Sequence, residues 1–229
     1  MSDLRIVFMG TPDFAVSTLK ELVKNNFKVV GVVTVADKPA GRGRKLAISA
    51  VKKFALEKGL TILQPRNLKS EEFIQSLRDL KADLQIVVAF RMLPEVVWKM
   101  PHLGTFNLHA SLLPDYRGAA PIHWAIMNGE TETGVTTFFI DEKIDTGVIL
   151  LQEKISIGID ETVGELHNKL MILGSALVLK TVKMIEKGSF ETVNQPDKTN
   201  KKAPKLFPEN CTIDWSQSID TIYNKIRGL

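Results

Sequence analysis

A single cysteine, Cys211, stands among the 229 residues, which excludes an internal disulfide and a thiolate zinc site within one chain. No apolar run approaches the roughly 20 residues of a membrane-spanning helix. The opening Met1-Ser2-Asp3-Leu4-Arg5 leads straight into a strand pattern, not into a basic segment and an apolar signal core. A cytoplasmic location without a membrane is therefore expected. The phosphate-cradling pattern Gly-x-x-x-x-Gly-Lys-Ser/Thr does not occur, so a P-loop nucleotidase is not supported. Internal repeats and low-complexity tracts are also missing. What is present, 44% hydrophobic and 24% charged residues, is ordinary for a soluble globular chain. The net charge of +4 permits a polyanionic partner without demonstrating one.

Periodicity alternates between short β-branched runs and helical spacing. Strands are expected at residues 5–9, 27–34, 61–63 and 84–89. Helices are expected from Phe14 through Val23, at 48–56 and at 71–80. Strands alternating with helices predict an α/β fold with a mostly parallel sheet, whose ligands bind beyond the carboxyl ends of the strands. Further strands are expected at 104–108, 133–140 and 148–155, and a long helix at 162–185. From about Lys187 to Pro208 the chain is polar and proline-punctuated, as an exposed linker would be. Beyond it, residues 213–215 suit an extended segment, and Ile219, Ile222, Tyr223 and Ile226 follow helical spacing. The expected division is a domain at 1–189, a linker at 190–210, and the truncated start of a second domain at 211–229.

Phe8-Met9-Gly10-Thr11-Pro12 occupies the place of a dinucleotide fingerprint but keeps only its first glycine, which argues against NAD. Gly10 either permits a tight strand-to-helix turn or contacts a ligand. In Asn107-Leu108-His109, at a strand's carboxyl end, alternation puts an amide donor and an imidazole on one face. Each alone has an ordinary explanation, as a strand-end asparagine or a satisfied histidine. The turn-rich stretch that follows, Ser111 to Gly118, favours an active-site loop. Asp145 lies in a polar connection between two strands, where a hairpin turn explains it equally well. Beside His109 it would orient the ring and favour its charged form.

At these residues the sequence resembles the 10-formyltetrahydrofolate-dependent formyltransferases along essentially its whole length. The resemblance is carried by residues 8–15 (FMGTPDFA), 37–46 (DKPAGRGRKL), Gln64-Pro65, 107–121 (NLHASLLPDYRGAAP), 144–147 (IDTG) and Ile213-Asp214-Trp215. It implies a Rossmann-like formyltransferase domain, a catalytic group of Asn107, His109 and Asp145, and no metal. It also implies contacts with 10-formyltetrahydrofolate from Ser111, Leu112, Leu113, Pro114, Val88, Phe90, Arg91 and Asp141. Arg91 departs from the family, which commonly has glycine there, and is expected either to alter the backbone geometry or to put a charge at the edge of the pterin pocket.

Relatives with the same triad formylate glycinamide ribonucleotide or amino sugars, or pass formyl to water, so the triad does not choose the acceptor. The choice rests on the loop at 37–45, where Lys38, Arg42, Arg44 and Lys45 alternate with small residues. A charge run of this kind is usually a solvated surface loop. The resemblance reverses that reading and implies that the four cations, with Gly10, Thr11 and Pro12, contact methionyl-tRNA. No obligate protein partner is implied, and the chain is expected to be a monomer. A small-amine formyltransferase and a non-catalytic folate-binding module are the alternatives.

Overall fold

The computed structural model describes residues 3–40, 45–188, 190–196, 199 and 201–229. It divides into two compact units, Met1–Leu108 with Val178–Ser189, and His109–Leu177 with Phe190–Leu229.

The first unit alternates strand and helix. Its elements are β1 (Arg5–Gly10), α1 (Asp13–Lys24), β2 (Lys28–Val33), β3 (Lys38–Ala40), β4 (Lys45–Ala47), α2 (Ala50–Glu57), β5 (Ile62–Leu63), α3 (Glu71–Asp79), β6 (Leu84–Val88), α4 (Glu95–Trp98) and β7 (Thr105–His109). Five strands lie in the order β7-β6-β1-β2-β5, and every described pairing among them is parallel. Ile6 through Met9 are fully buried, and Leu84 through Val88 are at most 5% exposed. Such unbroken buried runs, apolar except for Gln85, arise where both faces of a parallel strand are covered. Helix α1 buries Phe14, Ala15, Thr18, Leu19 and Leu22, the stripe expected of a helix packed by one face. Ser49 caps α2 by accepting from the Lys52 amide at 3.0 Å.

The second unit holds β8 (Arg117–Gly118), α5 (Pro121–Met127), β9 (Glu132–Phe139), β10 (Ile149–Ser156), β11 (Lys202–Ala203), α7 (Pro208–Cys211) and α8 (Ile219–Gly228). Helix α6 (Val163–Glu186) passes from this unit into the first at Val178. Strands β9 and β10 form an antiparallel ladder. From Leu151 onward β10 alternates half-buried and exposed side chains, as a strand with one solvated face does.

Strand and helix boundaries fall within a few residues of the expected ones. The short helices α4 and α5, the β3–β4 hairpin and the β8–β11 ladder go beyond the sequence reading, because pieces of two to seven residues carry no resolvable period. Residues 213–215 form no strand, and a turn begins at Trp215. The Asp214 carboxylate accepts from the Ser216 amide at 3.0 Å and from its hydroxyl at 2.7 Å, a local turn that competes with a strand. The polar stretch after α6 is mostly exposed, yet it is tied down within the second unit. Val193 bridges Ile149, and β11 pairs in parallel with β8.

Candidate active site

Alternation along β7 puts Asn107 and His109 on one side of that strand. Asn107 is half-buried, and His109, where the second unit begins, is 6% exposed. The turn after β7 is anchored by main-chain bonds. Thr136 Oγ1 donates to the Ser111 carbonyl at 2.7 Å and accepts from the Leu113 amide at 3.1 Å. Gln152 Nε2 donates to the Leu113 carbonyl at 2.9 Å. Leu113 is buried with Phe138 and Ile149, while Leu112 and Pro114 on either side stay half-buried. The Ser111 hydroxyl is directed to the Asp115 carbonyl at 2.6 Å.

His109 and Asp145 meet. Nδ1 lies 3.9 Å from Asp145 Oδ2, with both side chains at most 14% exposed. That is an ion-pair separation, too long for a hydrogen bond. The other ring nitrogen, Nε2, is 2.8 Å from the Tyr116 carbonyl oxygen. A carbonyl only accepts, so Nε2 carries a proton and Nδ1 is the nitrogen turned toward the carboxylate. Asp145 Oδ2 also accepts from the Gly118 amide at 2.9 Å.

Two residues in this arrangement occupy left-handed backbone, Tyr116 at φ +60° and Asp145 at φ +56°. Non-glycine residues rarely take that conformation without surrounding support, and such strain gathers at functional sites. The support is present for Tyr116. Its amide donates to the Lys201 carbonyl at 2.8 Å, and its hydroxyl donates to Glu130 Oε1 at 2.5 Å. Lys201 Nζ is 2.6 Å from the same Glu130 oxygen. Burial, reinforced by the bond to Glu130, pushes the phenol well above its ordinary range.

The remaining residues singled out in the sequence are distributed as follows. In the first unit Val88 is fully buried at the end of β6, followed by Ala89 at φ +47°. Phe90 and Arg91 are half-buried, with the Arg91 guanidinium 5.5 Å from the Phe90 ring centre. Arg91 donates to the carbonyls of Pro65 and Arg66, and burial lowers its pKa. In the second unit Asp141 accepts from Thr146 Oγ1 at 2.8 Å and from the Lys143 amide at 3.0 Å, which shapes the loop carrying Asp145. Lys38 is exposed on β3 and Lys45 opens β4. Arg42 and Arg44 lie outside the described residues. At the foot of this hairpin Asp37 pairs with Lys52 and accepts from Gln64 Nε2 at 2.8 Å.

Gly10 ends β1 where a Cβ would stand 2.6 Å from Ala15 Cβ and 3.0 Å from the Val88 carbonyl, so close packing already requires glycine there. The carbonyl of the half-buried Thr11 accepts from the Val51 amide at 3.4 Å, and the exposed Pro12 leads into α1. Sequence reasoning missed Tyr116, Glu130, Lys201 and Gln195. The only signal for any of them is that Tyr116 sits in the turn-rich stretch.

A family model described as formyl transferase matches residues 4–182. Methionyl-tRNA formyltransferase of Flavobacterium johnsoniae is 63% identical over 230 residues, covering 100% of this chain and 73% of that protein. The enzyme of the same name from Bacteroides thetaiotaomicron is 58% identical, covering 99% and 72%. Among solved structures, the N-formyltransferase from Helicobacter canadensis, crystallised with folinic acid and dTDP-3-aminofucose, superposes with a TM-score of 0.74. It is 24% identical, over 98% of this chain and 80% of that one, a likeness that shows the fold. With a matching family model over most of its length and relatives near 60% identity, the chain belongs to the methionyl-tRNA formyltransferases.

Proposed function

We propose that the chain transfers the formyl group of 10-formyltetrahydrofolate to the amino group of methionyl-tRNA, with Asn107, His109 and Asp145 as its catalytic group. The observation that carries this reading is the buried approach of His109 Nδ1 to Asp145 at 3.9 Å, at the carboxyl end of a parallel strand. The folate supplies an activated formyl carbon bonded to its N10. The residues around the turn suit a flat, partly apolar ligand: Leu112 and Pro114 keep exposed apolar surface on a backbone anchored by Thr136 and Gln152. Phe90 and the main chain after β6 would supply further contacts.

The amine nitrogen bonds to the formyl carbon, the carbon–N10 bond breaks, and the proton lost by the amine ends on N10. Negative charge develops on the formyl oxygen. The Asn107 amide and the Nδ1–H of protonated His109 are the donors to that oxygen, since Nε2 is engaged by Tyr116. Fixed donors of this kind contribute roughly 100-fold to 1000-fold each. Asp145 keeps the ring oriented and serves in the proton relay through water. Lys38, Arg42, Arg44 and Lys45 supply the charge that holds a tRNA backbone, and no metal takes part.

Replacing His109 with alanine should lower turnover with methionyl-tRNA by roughly 100-fold or more while formylfolate binding persists. Parent-level turnover in that variant would remove His109 from the catalytic group, and a parent that binds formylfolate but forms no formylmethionyl-tRNA would be a folate-binding module. Glycinamide ribonucleotide and an amino sugar belong in the same assay. Faster formylation of either would move the acceptor to a small amine.

A further inference from the structure

We infer that Gln195, from the polar stretch after α6, is a positioning residue for the His109–Asp145 pair. The inference rests on the reading of that pair as catalytic. Gln195 Nε2 donates to the Gly147 carbonyl at 2.7 Å and to the Asp145 carbonyl at 3.2 Å. Its Oε1 accepts from Arg117 Nε at 3.1 Å and Nη2 at 2.7 Å. These partners settle the orientation of the amide: guanidinium groups only donate and carbonyls only accept, so oxygen faces Arg117 and nitrogen faces the loop.

The consequence is a closed chain of bonds around Asp145. Gln195 holds its main-chain carbonyl. The amide of Gly118, the residue after Arg117, holds its carboxylate at 2.9 Å. Arg117 joins the two by gripping Gln195, and its Nη2 also reaches the Pro196 carbonyl at 3.0 Å. Asp145 at φ +56° occupies a conformation that aspartate tolerates better than most non-glycine residues but seldom adopts, and bonds at both its ends fix where the carboxylate points. Without the Gln195 donor the loop can relax toward ordinary backbone and swing Oδ2 away from His109 Nδ1. A catalytic group moved by about 1 Å can cost about 100-fold in rate. Glutamine meets the requirement where its isostere does not. Glutamate would keep Arg117 but oppose a carboxylate oxygen to two carbonyl oxygens.

The test uses Gln195→Glu and Gln195→Ala in the full chain, with kcat and KM for both substrates, the pH profile of kcat, and Tm. Gln195→Glu retains the Arg117 contact, so Tm stays near the parent value. The expected result for both variants is a fall in kcat of about 10-fold to 100-fold, unchanged KM for formylfolate, and a displaced pH profile. In an Asp145→Ala background Gln195→Ala should cost nothing further, because both changes act through one group. His109→Ala is assayed alongside. If it keeps parent turnover, the catalytic reading itself fails. If it loses turnover while both Gln195 variants keep parent kcat, or if their losses add in full to that of Asp145→Ala, Gln195 does not position the pair and the inference alone is overturned.

Discussion

Tyr116 meets the site through its backbone and the protein's interior through its ring. The carbonyl that engages His109 belongs to the main chain, whereas the hydroxyl is engaged with Glu130 and accepts from Asn128 Nδ2 at 3.2 Å. Tyr116→Phe should therefore separate stability from chemistry. Loss of a hydrogen bond to a charged acceptor should lower the unfolding free energy by about 1 to 3 kcal/mol, read from urea denaturation. Turnover should remain close to that of the parent. A large kcat loss with unchanged stability would place the phenol in the reaction. Gly10 poses a sharper question, because turn geometry and ligand contact were both open for it. Its neighbours favour packing, and Gly10→Ala should cost about 1 to 3 kcal/mol through overpacking against Ala15 and the Val88 carbonyl. An alanine variant with parent Tm but impaired tRNA use would return Gly10 to the ligand.

Among the elements, β11 and the residues before it decide more than their polar composition suggests. This stretch pairs with β8, bridges Ile149 and carries both Gln195 and Lys201. Burial acts to raise the pKa of Glu130, but the hydrogen bonds from Lys201 and Tyr116 outweigh it, so the carboxyl lies below its usual 4.5. A carboxyl whose folded pKa is depressed contributes stability that is present above its unfolded pKa. That contribution is lost as pH falls through the folded value. Lys201→Met should accordingly lower Tm at neutral pH, and the gap between variant and parent should close as the pH is taken below the ordinary glutamate range. A gap independent of pH would mean that Lys201 acts by packing alone. Gly118 is the ladder's narrow point. Its φ is +125°, and an added Cβ would stand 2.4 Å from the Ala203 carbonyl, so Gly118→Ala should part β8 from β11 and lower both Tm and kcat.

For the molecule as a whole, the net charge of +4 matters through where it gathers. If the four cations of residues 38–45 each meet one phosphate of a single-stranded acceptor end, log affinity for tRNA should fall with log salt at a slope of about −3. Arg42→Ala should reduce that slope by about one while leaving KM for formylfolate unchanged. A flat dependence would leave the loop as ordinary surface and favour a small acceptor.

What could be read in the order of residues was whatever depends on near neighbours. The alternation of buried strands and one-faced helices, and the common side of Asn107 and His109 on β7, follow from backbone periods of two and 3.6 that any local stretch displays. The motifs that carry the family resemblance are likewise short and contiguous. The distance from His109 to Asp145 is another kind of fact, since β8, helix α5 and strand β9 lie between them in sequence and only their packing brings the carboxylate back to the ring. Tyr116 carries no composition signal for left-handed backbone, because remote bonds hold it there against its local preference, and Asp145, of a residue type that tolerates this conformation, is fixed in it by bonds from distant segments. Gln195 reads as linker for the same reason. Its partners are carbonyls and a guanidinium supplied by distant segments, and a polar residue reveals its hydrogen bonds only once the fold has chosen its neighbours.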